Sequence, residues 1–448
     1  MTELPAVHAL PGNRWDLLDG VLPDEPPRVS VVVVHHDQQA ELDRALHALL
    51  RQSHPGDRLE VVVADDGSPT PPRVPPGVRL VVQEDLGFRA AAARNLGLAA
   101  TTGDVVCFLD ADCAPEPGYV AAATRLPALA PDVVVVGRRR HADLHDVPVA
   151  EPIATAGPAH ELEDPAWLRE AYRESADLLH ADDRSYRFVI GAALTCSRGL
   201  LEAAGGFDEG FDAYGGEDLE WAYRAWLHGA VLAHEPAAVV WHDGPDWAVR
   251  TDAAQRRDRK LDETLRVAAA LPDPGARGRG LRYRRPDVLV RLATGLDPTA
   301  AVVTLDGLLA ASGDAVVLAE PRVQRLVAED HRVVACEDPL GLDLLDLPAD
   351  LVERHALTHV RTVLDARAGL LVDADRLRQE IDATHASVGT RSWTSLAGND
   401  LLTLTRLRAA RRHHRWGLDD LFGDEVRASD SVTPVPPSTT VEGWFAGW

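Results

Sequence analysis

The sequence predicts an α/β fold with an open, mostly parallel sheet, followed by a second and smaller α/β domain. The first observation is a continuous β-branched run at residues 29–34, VSVVVV, which is typical of a strand buried on both faces. The second is the alternation that follows, with helical patterns at 39–52 and 89–100 and strand patterns at 59–65 and 104–110. Alternation of this kind favours parallel strands joined by helices. The third is that a similar alternation starts again in the second half of the chain.

The charge and targeting signals of the chain exclude several classes. With 448 residues and a formal net charge of −24, the protein should repel nucleic acid and anionic lipid surfaces. Its 4 cysteines include no CxxC pair, which indicates buried thiols in a reducing compartment. The N-terminus lacks the basic and apolar regions of a signal peptide, and no apolar run is long enough to span a membrane. We therefore expect a soluble, cytoplasmic protein without a transmembrane segment.

The changes of pattern along the chain predict its domain boundaries. A segment rich in Pro, Gly and Arg follows a charged helical pattern and indicates a linker. The predicted segments are an N-terminal extension at 1–28, a first α/β domain at 29–255, a helix and linker at 256–285, a second α/β domain at 286–430 and a C-terminal tail at 431–448.

The second domain shows signs of being a repeat of the first. Pairs of similar segments occur in the same order and at nearly equal offsets, which predicts an internal repeat. The alternative is that any two α/β domains share such patterns. The paired positions are Pro27 with Pro286, Leu46 with Leu305, VVVAD at 61–65 with VVLAE at 316–320, and FLDAD at 108–112 with LVDAD at 371–375.

Acidic and imidazole side chains follow the ends of the predicted strands, where open parallel sheets bind their ligands. Asp110 and Asp112 can converge on one Mg²⁺ or Mn²⁺ ion, because both ions prefer oxygen ligands. Such an ion would neutralise charge that builds on a diphosphate leaving group. The residues at the strand ends are His35, His36, Asp37, Asp65, Asp66, Asp110 and Asp112.

A second polar group lies in GGFDEGFDAYGGEDLEWAYRAWLHG, residues 205–229. Its Gly pairs allow tight turns and close approach of the backbone to a ligand. Glu217 and Asp218 open a predicted helix, where acids are also ordinary partners of the helix dipole. His242 ends a further apolar run, AAVVWH, where a single His is either structural or a metal ligand.

Together these motifs resemble the family 2 inverting glycosyltransferases, whose GT-A fold is a Rossmann-like fold that binds nucleotide-diphosphate sugars. The resemblance covers about residues 29–245, and the segment at 205–224 is similar to galactosyltransferase-like and chondroitin-polymerase-like members. It implies a nucleotide-sugar donor, with a UDP-sugar as the family-level expectation, and Mn²⁺ or Mg²⁺ as cofactor. The acceptor would be a small molecule, a glycan or a lipid-linked compound. The segments that carry the resemblance are VSVVVVHHD, VVVADDGS, GFRAAAARNLGLAATTGDVVCFLDAD, GGFDEGFDAYGGEDLEWAYR and VVWH.

The resemblance also implies roles for individual residues on the donor side. Asp112 and His242 would ligate the metal, and Asp110 would contact the metal or the donor ribose. The family often has Thr-Tyr where this chain has His35-His36, which leaves the donor nucleotide open. The residues implied to bind the donor are His35, Asp65, Asp66, Arg94 and Asp110.

On the acceptor side, the resemblance makes Asp218 the general base that deprotonates the acceptor hydroxyl, with Glu217 orienting the acceptor. Further acceptor candidates are Tyr214, Gly216 and Trp221.

The second domain looks like a degenerate copy of this fold. Asp373 and Asp375 repeat the Asp-Ala-Asp, but Pro321 stands where Asp66 stands in the first domain, and no Gly-Gly-Glu-Asp follows. We therefore expect a role in packing, in guiding the acceptor or in forming a homodimer through this domain.

Two other functional classes remain open. One is a catalytically inactive binding or scaffold protein that keeps the motifs for its fold. The other is a sugar-phosphate nucleotidyltransferase, which usually has a Gly-rich and basic loop after the first strand, whereas VVHHDQQAEL contains neither Gly nor Lys. A nucleotidyltransferase would release pyrophosphate, and a glycosyltransferase would release free nucleotide.

Overall fold

The chain divides into two compact units, called here the first unit, Met1–Val267, and the second unit, Ala268–Trp448. Their division falls inside helix α8, Ala253–Ala270, within the segment predicted as a helix and linker. The predicted boundary at residue 430 lies outside the described residues. The structure is a computed structural model that describes residues 8–245, 253–278, 281–395, 398–428 and 431–445.

The first unit is built on a mixed sheet in which β3, β2, β1 and β4 are neighbours and run parallel. Strand β8 then pairs antiparallel with both β4 and β6, and β6 pairs parallel with β9. The strands of this unit are β1 Val29–His35, β2 Leu59–Asp65, β3 Arg79–Val82, β4 Val105–Asp110, β5 Cys113–Pro115, β6 Val133–Ala142, β7 Glu161–Leu162, β8 Ala193–Ser197 and β9 Val231–Asp243.

The buried β-branched run at 29–34 becomes β1 at the centre of this sheet, as its pattern predicts. The helical patterns at 39–52 and 89–100 become α1 and α2, which confirms the predicted alternation. Strand β3 and the short strands β5 and β7 had no predicted counterpart, because they lack long apolar runs. The helices of the first unit, up to α8, are α1 Gln39–Leu49, α2 Ala90–Ala99, α3 Tyr119–Leu129, α4 Ile153–Ala159, α5 Ala166–Glu174, α6 Arg198–Ala204 and α7 Glu217–Leu227.

The second unit has its own mixed sheet and its own apolar core. Its sheet order is β12, β11, β10, β13, β16, β15 and β17. A separate pair, β14 and β18, lies outside this sheet. The strands are β10 Val288–Leu292, β11 Ala315–Ala319, β12 Val333–Ala335, β13 Thr362–Ala366, β14 Leu370–Val372, β15 Val388–Thr394, β16 Asp400–Arg406, β17 Gly423–Ala428 and β18 Val432–Pro434. The helices are α9 Pro298–Ala311, α10 Pro321–Leu326, α11 Ala349–His355, α12 Ala374–Asp382, α13 Leu407–Trp416 and α14 Val441–Phe445.

The second Asp-Ala-Asp does not occupy the position that the repeat predicted. The strand beside β10 is β13, and the chain that leaves it reads Leu364-Asp365-Ala366-Arg367. Asp373 instead caps α12, where its side chain accepts a hydrogen bond from the backbone N–H of Arg376 at 3.1 Å. An aspartate is a favoured N-cap because its carboxylate satisfies an otherwise unpaired helical N–H. The strand that pairs with β10 as β4 pairs with β1 is therefore β13, whose sequence VLDAR at 363–367 holds the single carboxylate Asp365.

Within the part of the chain that the structure describes, no helix is both long enough and apolar enough to span a membrane.

Candidate active site

The carboxyl ends of β2, β1 and β4 lie together at one edge of the sheet and carry Asp65, His35 and Asp110. The parallel register pairs His35 with Asp65, and Val34 with Asp110. This register brings the first Asp-Asp motif and the first Asp-Ala-Asp to one edge of the sheet, as the sequence predicted. Helix α2 contributes Arg94 to the same edge, and helix α7 contributes its first turn.

His35 and Asp65 form a buried pair at the end of the central strands. Nδ1 of His35 lies 2.7 Å from Oδ1 of Asp65, and Nε2 accepts a hydrogen bond from the backbone N–H of Gln38 at 3.1 Å. Because Nε2 accepts, Nδ1 carries the proton and donates to Asp65. Ser68 also donates its hydroxyl to Asp65. The ring of His35 therefore positions Asp65, and direct donor contacts by these two residues stay predictions.

Asp66 organises the segment that follows β3. One carboxylate oxygen accepts a hydrogen bond from the backbone N–H of Arg89 at 2.8 Å, and the other accepts from the side chain of Gln83. A Cβ on Gly67 would lie 2.4 Å from Cα of Asp85, so only glycine allows the segment at 85–89 to pack here. The predicted nucleoside contact of Asp66 stays a prediction.

Arg94 links the sheet edge to helix α7. Its guanidinium donates to Oε1 of Glu217 at 2.8 Å and to Oδ1 of Asp110 at 3.1 Å. The Arg94 side chain is buried, whereas that of Asp110 is 38% exposed. Burial raises the pKa of Asp110, with Arg94 opposing and the nearby Asp112 adding to this rise. Glu217 therefore holds Arg94 in place, and its predicted contact with the acceptor stays a prediction.

Asp112 and His242 face each other although they come from distant parts of the sequence. The chain turns after β4 into β5, which pairs antiparallel with β9 and places Cys113 opposite His242. Oδ2 of Asp112 lies 3.2 Å from Nε2 of His242, and Nδ1 of His242 lies 3.2 Å from the carbonyl oxygen of Gly244. Burial is the largest single influence and acts to raise the pKa of Asp112, but the effects of His242, Cys113 and Arg139 together outweigh it and lower the pKa.

This geometry fits a bound divalent cation. If Nδ1 of His242 donates to the carbonyl of Gly244, the lone pair of Nε2 points at a carboxylate oxygen, and two acceptors face each other. A cation held by both atoms would remove that conflict, and a carbonyl partner on the other ring nitrogen is usual for a metal-ligating His. Among the described residues, no group of three His, Cys, Asp or Glu side chains forms a complete site. Asp112 and His242 are thus the protein ligands that fit, and Asp110 is engaged with Arg94.

Asp218 lies at the start of helix α7, where Gly216 caps the helix. Its two carboxylate oxygens accept hydrogen bonds from the backbone N–H groups of Gly191, at 2.9 Å, and Leu219, at 2.8 Å. Burial and the charge of Glu217 raise the pKa of Asp218 to about 6. A carboxylate with such a pKa can accept a proton from a hydroxyl in the transition state near neutral pH.

The three predicted acceptor residues differ in exposure. The side chain of Tyr214 is exposed. Gly216 is buried at φ 98°, where a Cβ would lie 2.9 Å from the ring of Phe211. Trp221 is fully buried, stacks on Phe207 and donates its indole N–H to the carbonyl of Gly205 at 3.1 Å. The prediction that Trp221 contacts the acceptor is therefore wrong. The apolar side of α7 turns this ring into the core.

Sequence reasoning missed the position of Arg139 on β6. Arg139 lies in the basic run GRRRH at 137–141, and its charge acts to lower the pKa of both Asp110 and Asp112. Alternation along a strand could have found it, since the side chains of Arg138 and Arg140 must point to the face opposite that of Arg139. Arg139 therefore adds a cation beside the two carboxylates.

Part of the chain matches a known protein family. Residues 30–202 match the family described as "Glycosyl transferase family 2". The matched range contains the strand-end cluster and Arg94 but ends before Glu217, Asp218 and His242.

Two proteins that are named for their activity also resemble part of the chain. The chondroitin synthase of Escherichia coli is 29% identical over 242 residues, which cover 48% of this chain and 35% of the synthase. The validoxylamine A glucosyltransferase of Streptomyces hygroscopicus subsp. limoneus is 34% identical over 222 residues, which cover 45% of this chain and 49% of that enzyme. The chain thus spans half or less of the length of these relatives.

A solved structure also resembles part of the chain. It is the mannosyltransferase PcManGT from Pyrobaculum calidifontis in complex with GDP-Man and Mn²⁺. Its TM-score is 0.38 at 23% sequence identity, over 58% of this chain and 72% of that one.

Proposed function

We propose that the protein is a metal-dependent, inverting glycosyltransferase, on the basis of its match to glycosyl transferase family 2 over residues 30–202 and of the geometry of its site. It moves a sugar from a nucleotide-diphosphate sugar to an acceptor hydroxyl. The observation that carries the proposal is a chain of contacts. Arg94 donates hydrogen bonds to both Asp110 and Glu217, and Asp218 directly follows Glu217. These contacts join a proton acceptor of raised pKa to the edge of the sheet where parallel α/β folds bind ligands.

The donor lies across the ends of β2, β1 and β4 in this proposal. Asp66 holds the nucleoside, and the buried pair of His35 and Asp65 keeps the segment around Asp66 in place. Arg94 and Arg139 offset the negative charge of the diphosphate, which a protein of net charge −24 must do locally. UDP is the nucleotide we expect, on the family resemblance alone.

Asp112 and His242 hold the divalent cation, Mn²⁺ or Mg²⁺, in this proposal. When bound, the cation would neutralise charge on the departing nucleotide diphosphate. The support is the 3.2 Å approach of Oδ2 of Asp112 to Nε2 of His242. A cation held by Asp112 and His242 would lie at the same edge of the sheet as Arg139.

Asp218 accepts the proton of the acceptor hydroxyl as that oxygen attacks the anomeric carbon. The backbone N–H groups of Gly191 and Leu219 fix the carboxylate, so little reorganisation accompanies the proton transfer. Glu217 keeps the guanidinium of Arg94 beside the reacting centre. Attack from the side opposite the leaving nucleotide inverts the anomeric carbon, and no covalent sugar-protein bond forms.

The relatives support a sugar transfer and leave the acceptor open. The validoxylamine A glucosyltransferase is named for a small-molecule acceptor, and the chondroitin synthase for a polysaccharide product. We propose a hydroxyl-bearing small molecule, glycan or lipid-linked compound as acceptor. The second unit, in this proposal, is a degenerate copy of the first without a catalytic centre of its own.

Calorimetric titration with UDP, GDP and dTDP, each with and without Mn²⁺, tests the proposal. We expect one nucleotide to bind in a metal-dependent way. Asp112→Asn should abolish the metal dependence, and Asp375→Asn, in the same tripeptide of the second unit, should not change it. Absence of binding of all three nucleotides to the wild type would instead support a scaffold protein.

A further inference from the structure

Two exposed aromatic rings form a pair in the first unit that its core does not explain. The ring centroids of Phe88 and Tyr214 lie 5.5 Å apart at an interplanar angle of 58°. Phe88 is 40% exposed and Tyr214 is 50% exposed. Large aromatic rings usually bury most of their surface, so an exposed pair at the edge of a site indicates a ligand contact.

Rigid backbone presents each ring. Phe88 lies in the segment at 85–89, which packs against Gly67 and donates the backbone N–H of Arg89 to Asp66 at 2.8 Å. Tyr214 directly precedes Gly215 and Gly216, whose φ values of 90° and 98° set the entry into helix α7. The pair therefore joins the donor side of the site to the helix that carries Asp218.

The phenol of Tyr214 lies within the electrostatic reach of the site. Burial raises its pKa to about 12, and the charges of Asp110, Asp218 and Glu217 act in the same direction. The Tyr214 ring is therefore near enough to these carboxylates to contact an acceptor whose hydroxyl reaches Asp218.

We propose that Phe88 and Tyr214 form the acceptor subsite and select an acceptor with a saturated six-membered polyol ring, a pyranose or a cyclitol. This inference rests on the proposed function and deepens it. The C–H face of such a ring packs on the aromatic faces while its hydroxyls stay free for Asp218. Phe88 is new to the site, and Tyr214 gains a partner that fixes the orientation of its ring.

Saturation-transfer NMR on the full chain tests the subsite, with methyl β-D-glucopyranoside and myo-inositol as probes. The protein is first loaded with diamagnetic Mg²⁺ and the nucleotide identified by calorimetry. We expect at least one probe to bind the wild type, and Phe88→Ala to weaken it about tenfold. Tyr214→Phe keeps the ring and should retain binding. Leu86→Ala changes an exposed apolar side chain of the same segment and should also retain it.

Three outcomes would overturn the subsite. They are equal probe affinity in the wild type and Phe88→Ala, absence of binding of both probes to the wild type, and a loss of nucleotide affinity in Phe88→Ala with probe affinity unchanged. The last outcome would assign the rings to the donor. Failure of the proposed function is a separate result. It would appear as wild-type transfer by Asp218→Asn, or as absence of nucleotide binding, neither of which depends on Phe88.

Discussion

Each unit has its own sheet, and the two sheets have similar strand orders but different side chains at the strand ends. In the first unit the strand order is β3, β2, β1, β4, β8, β6, β9 and β5, with β7 beside β6, and in the second it is β12, β11, β10, β13, β16, β15 and β17. Corresponding pairs run parallel or antiparallel alike throughout. The internal repeat itself stays a prediction. The comparison shows that a common strand order can carry different side chains at the strand ends.

The first difference concerns the carboxylate at the end of the fourth strand. In the first unit Asp110 is partly exposed and shares Arg94 with Glu217. In the second unit Asp365 is buried and accepts two hydrogen bonds from Arg291, each at 2.7 Å. Both oxygens of this buried carboxylate are engaged by one guanidinium, which makes Asp365 part of a structural ion pair.

The second difference concerns the helices that precede β9 and β17. Helix α7, the last helix before β9, begins with Glu217 and Asp218. The last helix before β17 is α13, which follows β16 directly and begins with Leu407 and Arg408. The first turn of α13 contains no acidic residue that could act as a base.

The largest effect should follow from removing the base that the second unit lacks. Asp218→Asn should lower the turnover number by about 10²- to 10⁴-fold, because an amide cannot accept the hydroxyl proton. Nucleotide affinity should stay unchanged in calorimetry. Asp212→Asn, which alters an exposed carboxylate of the same loop, is the matched control and should keep wild-type turnover. Transfer by Asp218→Asn at the wild-type rate would show that the base is misassigned.

The next effect concerns Asp365, whose carboxylate we expect to stabilise the second unit and not to bind a ligand. Asp365→Asn should leave nucleotide binding intact and destabilise the second unit by about 3–5 kcal/mol, because it leaves the buried charge of Arg291 unpaired. Thermal unfolding measures this. Asp350→Asn breaks an exposed ion pair with Arg354 and should cost about 1 kcal/mol or less. Equal stability of Asp365→Asn and the wild type would contradict the role assigned to this pair.

A smaller effect concerns pH. Asp218 acts as a base only when ionised, and its pKa is raised to about 6. kcat/KM should therefore rise with pH up to about 6 and level off above it, falling about tenfold for each pH unit below. Initial rates measured from about pH 4.5 to about pH 8 test the profile. A flat profile through pH 6 would show that another group accepts the proton.

The smallest effect is expected at the second Asp-Ala-Asp. Replacing both Asp373 and Asp375 with Asn should leave turnover nearly intact, because Asp373 caps a helix and Asp375 is exposed. Asn also caps helices well, so the thermal stability should change little. A large loss of turnover with an unchanged melting temperature would mean that the second unit takes part in catalysis.

Local patterns in the sequence were sufficient for the central strands and the acids that follow them. The runs at 29–34 and 104–110 are apolar enough to be buried on both faces, and parallel pairing then brings their carboxyl ends together. The same logic located Glu217 and Asp218 at a helix start. These features depend on short-range periodicity, which is present in any window of the chain.

Tertiary structure decided which of several equivalent residues face the site. Periodicity could not tell that Trp221 turns into the core, or that Phe88 and Tyr214 meet at the surface, because these contacts join segments distant in sequence. It also could not distinguish the two Asp-Ala-Asp tripeptides. One follows a central strand and the other caps a helix, and only strand pairing separates them. The sequence by itself determined the elements and the candidate chemistry, and long-range packing selected the residues that can carry it out.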